Sequence, residues 1–276
     1  IGSYAHLIWS TNTNKPEYGK LIQEAKELSS EIHQQLVFFD VEWLDIDDDR
    51  AQKLIQSEEL SHYKHYLETS RRYKDHILSE KDEQVLSAKN VTGRSAWNRY
   101  FDETMCAARF ELDGEELTQQ EVLSKLHESD RDLRKRAHAS ATETFKEHSR
   151  TLTFIFNTLL ADKHTNDKLR DYDSWISSRN LSNEIDDDTV DILINSVTDK
   201  YNLVHRFYDL KRELLGYDEL YDYDRYAPLL ENKKSIQWDR AQEMVLDSYS
   251  NFHPEMGDIA GKFFDENWID AAMAPG

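Results

Sequence analysis

Several groups of residues in this sequence have types and spacings that chemistry could use. His62-x-x-His65 sets two imidazoles three residues apart, as metal-binding pairs on helices are set. No Glu makes a His-Glu-x-x-His arrangement, no third ligand is evident, and Tyr63 and Tyr66 mark a half-buried helix, so no metal is assigned there. Asp45, Asp47 and Asp49 alternate like the start of a calcium loop. Arg50 stands where that loop needs Gly, and Gln56 where it needs a bidentate Glu. Carboxylates at a helix start explain this run, and also Asp186-Asp187-Asp188. Cys106 follows Trp97, Phe101 and Met105 at helical steps and reads as a buried, inert thiol. Glu143, Glu147 and His148 cluster on a helix, where pairing with Lys146 and Arg150 is the ordinary explanation.

The segment from Tyr217 to Leu230 is the most unusual. Tyr217, Tyr221, Tyr223 and Tyr226 alternate with Asp218, Asp222 and Asp224, followed by Arg225. Such a loop can bind a peptide through phenol and carboxylate groups, or it can plug a gap between helices. The plug is the preferred reading.

The elements that carry these residues read as helices. From Ser129 to Asp162, small or apolar residues recur at Leu133, Ala137, Ala141, Phe145, Leu152, Ile155, Phe156, Leu159 and Leu160. That is the spacing of one helical face, with Ser129 as N-cap, no Gly or Pro within, and a length of about 50 Å. The rest of the chain is expected to pack around it, and His164 to Asp173 to be a polar connection. Before it, Gly2 to Thr13 is a mixed segment and Lys20 to Phe39 is helical. The run from Leu36 to Leu44 favours a buried helix over a strand. Asp47 to Gln56 and Ser57 to Tyr73 give short helices, Ser79 caps another, and Thr92 to Cys106 follows. Phe110 to Leu117 alternates around Asp113-Gly114, the signal for a two-residue hairpin turn. Thr118 and Glu121 have the spacing of a capping box. Asp186 opens a helix that runs on through Phe207 towards Leu215, with Gly216 as its stop; Trp238 to Phe252 and Glu255 to Asp265 are helical. The fold class predicted is all-α, a multi-helical array around a long central helix with one short β-hairpin near residues 109–117. The expected regions are 1–108, 109–184 and 185–276.

Composition narrows the partners. Of 276 residues 38% are hydrophobic and 32% charged, which suits amphipathic helices with one wet face. The formal net charge of -20 repels phosphate backbones and anionic membranes, so neither nucleic acid nor membrane is an expected partner. The single Cys excludes an intrachain disulfide and fits a reducing cytoplasm. Ile1-Gly2-Ser3-Tyr4 reads like the inside of a domain, and no polar tail follows the last apolar run, so a fragment is expected.

At the Tyr-Asp segment the sequence meets a family. Leu220-Tyr221-Asp222-Tyr223-Asp224-Arg225-Tyr226-Ala227-Pro228-Leu229 resembles the Tyr-Asp…Ala-Pro-Leu signature of oligoendopeptidase F, zinc metallopeptidases akin to thimet oligopeptidase. Ser129-Asp130-Arg131-Asp132-Leu133-Arg134 and the stretch from Phe156 to Lys163 are similar to that family's N-terminal helical region. Ser178-Arg179-Asn180-Leu181 and the stretch from Leu210 to Gly216 match its habits. Trp268-Ile269-Asp270 with Pro275-Gly276 resembles the approach to its Gly-rich segment. The resemblance implies a cytoplasmic zinc-dependent oligopeptidase acting on internal bonds of short peptides. Family members hold zinc with His-Glu-x-x-His and a further Glu; this sequence has no such motif. No catalytic or metal residue is therefore carried over, substrate-binding residues stay unassigned, and the chain alone is expected to hold no zinc and to be inactive. Its expected partners are oligopeptides and the remainder of its own peptidase domain. The alternative reading is a non-enzymatic helical scaffold that binds peptides or proteins.

Overall fold

The computed structural model describes residues 1–230 and 236–269. It is 77% helical, with one two-stranded antiparallel hairpin among the described residues, so the all-α class holds. The chain divides into a unit spanning residues 1–227 and a smaller one that begins at Pro228.

In the first unit, α1 (Gly2–Thr11) leads into α2 (Pro16–Asp45), a helix of 30 residues with Pro at its start, where a missing N–H costs nothing. The expected mixed segment is thus a helix. Ala5 and Trp9, four apart, close onto Ile22 and Ala25 of α2, and that burial supplies what the uncapped α1 lacks. The run from Leu36 to Leu44 continues α2, and Trp43 and Leu44 enter a second cluster. There they meet Ala51 and Ile55 of α3 (Asp48–Ile55) and Leu67 of α4 (Lys64–Arg71). A 3₁₀ turn, Glu58–Tyr63, joins α3 to α4, and another, Lys74–His76, follows α4.

Next come α5 (Glu80–Thr92) and α6 (Arg94–Ala107), separated only by Gly93. Ser79 caps α5 as expected, accepting a hydrogen bond from the Asp82 N–H. The hairpin is β1 (Phe110–Leu112) with β2 (Glu115–Leu117), in the register Phe110 opposite Leu117. Asp113 and Gly114 both have positive φ, 56° and 88°, the backbone that an Asp-Gly turn allows. Thr118 and Glu121 form the expected capping box at α7 (Gln119–Ser124).

The long helix is α8 (Arg131–Leu169), about 58 Å from end to end. Its N-cap is Asp130 rather than Ser129: the Asp130 carboxylate accepts from the N–H groups of Asp132 and Leu133. The helix also runs through the expected connection as far as Leu169. Polar side chains there bond within the helix, Asn166 to the Asp162 carbonyl and Lys163 to Asp167, so polarity does not end it. Ala137 and Ala141 are buried against Met105, Phe110, Leu112 and Val122, and Phe145 packs edge-on against Phe110 at 5.6 Å. The expected face fails beyond Ile155: Phe156 and Leu160 are 62% and 50% exposed.

After α9 (Ser177–Ser182), the expected single helix from Asp186 is two, α10 (Asp187–Thr198) and α11 (Tyr201–Leu215). Gly216 ends α11 in the left-handed region at φ 68°, where a Cβ would strain. In the second unit, α12 (Trp238–Phe252) and α13 (Pro254–Asp265) pack on each other. Gly257 permits this, since a Cβ there would fall 2.1 Å from Ser250 Oγ. Asp270, Pro275 and Gly276, cited above for the resemblance, lie outside the described residues.

Candidate functional site

The Tyr-Asp segment folds against the start of α8. A 3₁₀ turn, Asp222–Asp224, carries Asp224 into the interior, where both it and Arg134 have no exposed surface. Asp224 Oδ1 accepts from Arg134 Nη2 at 2.9 Å and Arg131 Nε at 3.2 Å. Its Oδ2 accepts from Arg131 Nη2 at 2.8 Å and the Tyr221 N–H at 3.1 Å. Arg134 also donates to the carbonyls of Tyr223, Glu128 and Ser129 and to the Tyr217 hydroxyl. Burial alone would raise the Asp224 pKa. The hydrogen bonds from Arg131, the Tyr221 N–H and Arg134 win, and hold it below the usual carboxylate range.

Aromatic rings close over this ion cluster. Arg131 lies 3.8 Å from the centre of the Tyr217 ring, Tyr221 stacks on Tyr223, and His127 stacks on Tyr226. Buried Lys211 on α11 donates to the Arg225 carbonyl at 2.7 Å. Burial, then repulsion from Arg134, pushes the Lys211 pKa down. Every donor of Arg134 and both oxygens of Asp224 are used, so this cluster fastens the segment and leaves no nucleophile or base to act on a substrate. Tyr221 and Tyr226 remain 52% and 46% exposed, and Asp218, Asp222 and Arg225 are exposed with them, so a peptide can meet the outer phenols and charges but not the buried cluster.

The other candidates separate. His62 lies in the 3₁₀ turn and His65 in α4, not on one regular α-helical face. His65 reaches Glu184 at 3.2 Å, and no three His, Cys, Asp or Glu side chains converge among the described residues. These donors do not fit a zinc ion. Asp47 caps α3 through the Arg50 N–H, while Asp48 pairs with Arg71 and Lys74. Asp186 caps α10, and Asp187 accepts from buried Asn180. Glu143 pairs with Lys146 at 2.8 Å, both exposed, and His148 is half-buried. Cys106 is also half-buried, not buried as expected, because Met105 rather than Cys106 takes the inward position.

One site gave no signal in the sequence. A cleft of about 800 Å³ opens between α2, α5, the end of α8 and α9. Arg170 and buried Glu83 form a two-pronged pair across it, at 2.6 and 2.8 Å. They are 87 residues apart, and neither belongs to a motif.

The family model described as Oligopeptidase F matches residues 42–110. Oligopeptidase PepF of Bacillus subtilis is 25% identical over 97% of this chain and 41% of its own length. Group B oligopeptidase PepB of Streptococcus agalactiae is 25% identical over 99% of this chain and 47% of its own. The chain therefore spans less than half the length of these relatives. The crystal structure of oligoendopeptidase-F from Enterococcus faecium shares the fold, with a TM-score of 0.78 at 22% identity, covering 96% of this chain and 56% of that one. No helix among the described residues is long and apolar enough to cross a membrane. Along nearly its whole length, in sequence and in fold, the chain is similar to oligoendopeptidase F peptidases.

Proposed function

We propose that this chain forms a helical wall of an enzyme that hydrolyses internal bonds of short peptides in a bacterial-type cytoplasm. The chemistry would be zinc-dependent, with the metal held by polypeptide other than the residues described, because their own donors do not fit it. Residues 185–276 would begin the peptidase portion, after the regions 1–108 and 109–184.

The observation that carries this reading is the uncovered surface of α10 and α11 in a chain that spans less than half of its relatives. Ile192, Leu193, Val197, Val204, Phe207 and Leu214 are each at least half exposed. So long an apolar face is costly in water and marks a surface built to be covered. The remainder of a relative-sized protein is the occupant proposed here.

The test is hydrolysis of an internally quenched peptide. The chain alone should leave it intact. The chain joined to the polypeptide that completes a relative such as the Bacillus subtilis enzyme should cleave it, and a chelator should stop the cleavage. Cleavage by the chain alone, or a joined protein that stays inert with zinc supplied, would count against the proposal.

A further inference from the structure

The cleft beside α5 and α9 has a charge opposite to that of the molecule around it. Five cationic side chains line it, Lys89, Arg94, Lys163, Arg170 and Arg179, against three carboxylates, Glu83, Asp162 and Asp167. The whole chain has a formal net charge of -20. Two of the cations are already neutralised within the cleft: Arg170 by Glu83, and Lys163 by Asp167 at 2.6 Å. Lys89, Arg94 and Arg179 have no carboxylate within ion-pair distance among the described residues. Only Asp162, which accepts from Asn166, is left to offset them.

We propose that this cleft binds a small multivalent anion, bearing phosphate or carboxylate groups, through Lys89, Arg94 and Arg179. The backbone brings these groups to one place. Gly93 is the single residue between α5 and α6, so Lys89 in the last turn of α5 and Arg94 at the start of α6 line the same cavity. Arg179 comes from α9 on another side. Ser182 and Asn90 add hydrogen-bond donors to the lining. The start of α6 has no side-chain cap and no acidic residue in its first turn, so its backbone dipole favours the same sign of ligand.

Guanidinium and ammonium groups hold phosphate and carboxylate by charge-assisted hydrogen bonds, stronger than neutral ones. The three unpaired cations less Asp162 leave an excess of two positive charges; a singly charged ligand would leave half of it unmatched, whereas a multivalent anion can match it in full. At physiological ionic strength charges separated by more than about 8 Å are largely screened. The acidic surface elsewhere therefore weighs less on the ligand than the cations that touch it.

The test is titration calorimetry of the 276-residue chain with tripolyphosphate and, separately, with citrate. Saturable one-to-one binding of at least one is expected, and the stronger of the two identifies the phosphate or the carboxylate source. Arg94→Gln and Arg179→Gln should each weaken it about tenfold. Lys20→Gln, which removes an exposed charge on α2, should leave it within about twofold. Neither arginine has an internal partner to lose, so the variants should melt with the parent protein. Affinity should fall as salt is added, because local attraction dominates. Absence of saturable binding, indifference to both arginine substitutions, or affinity that rises with salt would each overturn the assignment. Tighter binding of an acidic pentapeptide than of either anion would also overturn it, and would give the cleft to peptide chains.

Discussion

Asp224→Asn is the substitution on which the structure speaks most sharply. Four donors converge on the two oxygens of Asp224: Arg134 Nη2 and Arg131 Nε on one, Arg131 Nη2 and the Tyr221 N–H on the other. Asparagine offers one oxygen and one NH₂ group. Whichever way it turns, two donors face a donor and are stranded, at about 1–3 kcal/mol each. The charge lost matters too. Arg131 is 32% exposed and water compensates part of its loss, but Arg134 is wholly buried and has no other carboxylate on it among the described residues. Breaking a buried pair from one side costs about 3–5 kcal/mol, and that range is the expectation at neutral pH. For a unit of this size it corresponds to a fall of roughly 6–20 °C in melting temperature. The assay is thermal unfolding followed by circular dichroism, together with limited proteolysis, which should newly cut between Tyr217 and Ala227.

The pH dependence follows from the depressed pKa. A carboxyl lowered in the folded state contributes stability that is present above its unfolded pKa, about 3.9, and is lost as pH falls through the folded value. The gap between parent and variant should therefore close on acidification below about pH 4. The double variant Arg134→Met with Asp224→Asn should cost much less than the sum of the two singles. A single-variant cost within about 0.5 kcal/mol, with the segment still protected, would refute the view that this cluster fastens it.

The remaining expectations are shorter. Phe145→Ala should cost about 3 kcal/mol in urea titration, the low end for a large aromatic, because Phe145 is only partly buried against Phe110. Glu83→Gln should destabilise the chain at neutral pH. Burial raises the Glu83 pKa, but Arg170 and the Leu78 N–H more than reverse it, so the loss should shrink as pH falls below the usual carboxylate range. Calorimetry should show a multivalent anion in the cleft beside α5, weakened by Arg94→Gln.

What the sequence revealed was local. The Asp113-Gly114 turn, the Thr118 capping box, the Gly216 stop and Pro254 at the start of α13 each rest on a few adjacent residues, and each stands in the structure. What it concealed was distant or unpunctuated. The end of α8 was misplaced because a polar helix turn and a polar loop have the same composition. The break between α10 and α11 at Asp199–Lys200 has neither Gly nor Pro to mark it. The partners of Asp224 lie about ninety residues away on α8, so its burial had no local sign. The chemistry of the proposed peptidase is not legible in the described residues, since His62 and His65 face different neighbours and find no third ligand among them.

In the proposed function this chain supplies architecture while another stretch of polypeptide supplies the metal. Elemental analysis after dialysis against zinc tests it most directly, on the chain alone and on the chain joined to the completing half of a relative. Zinc should be at background for the first and stoichiometric for the second. Stoichiometric zinc on the chain alone, lost in His62→Ala, would contradict it.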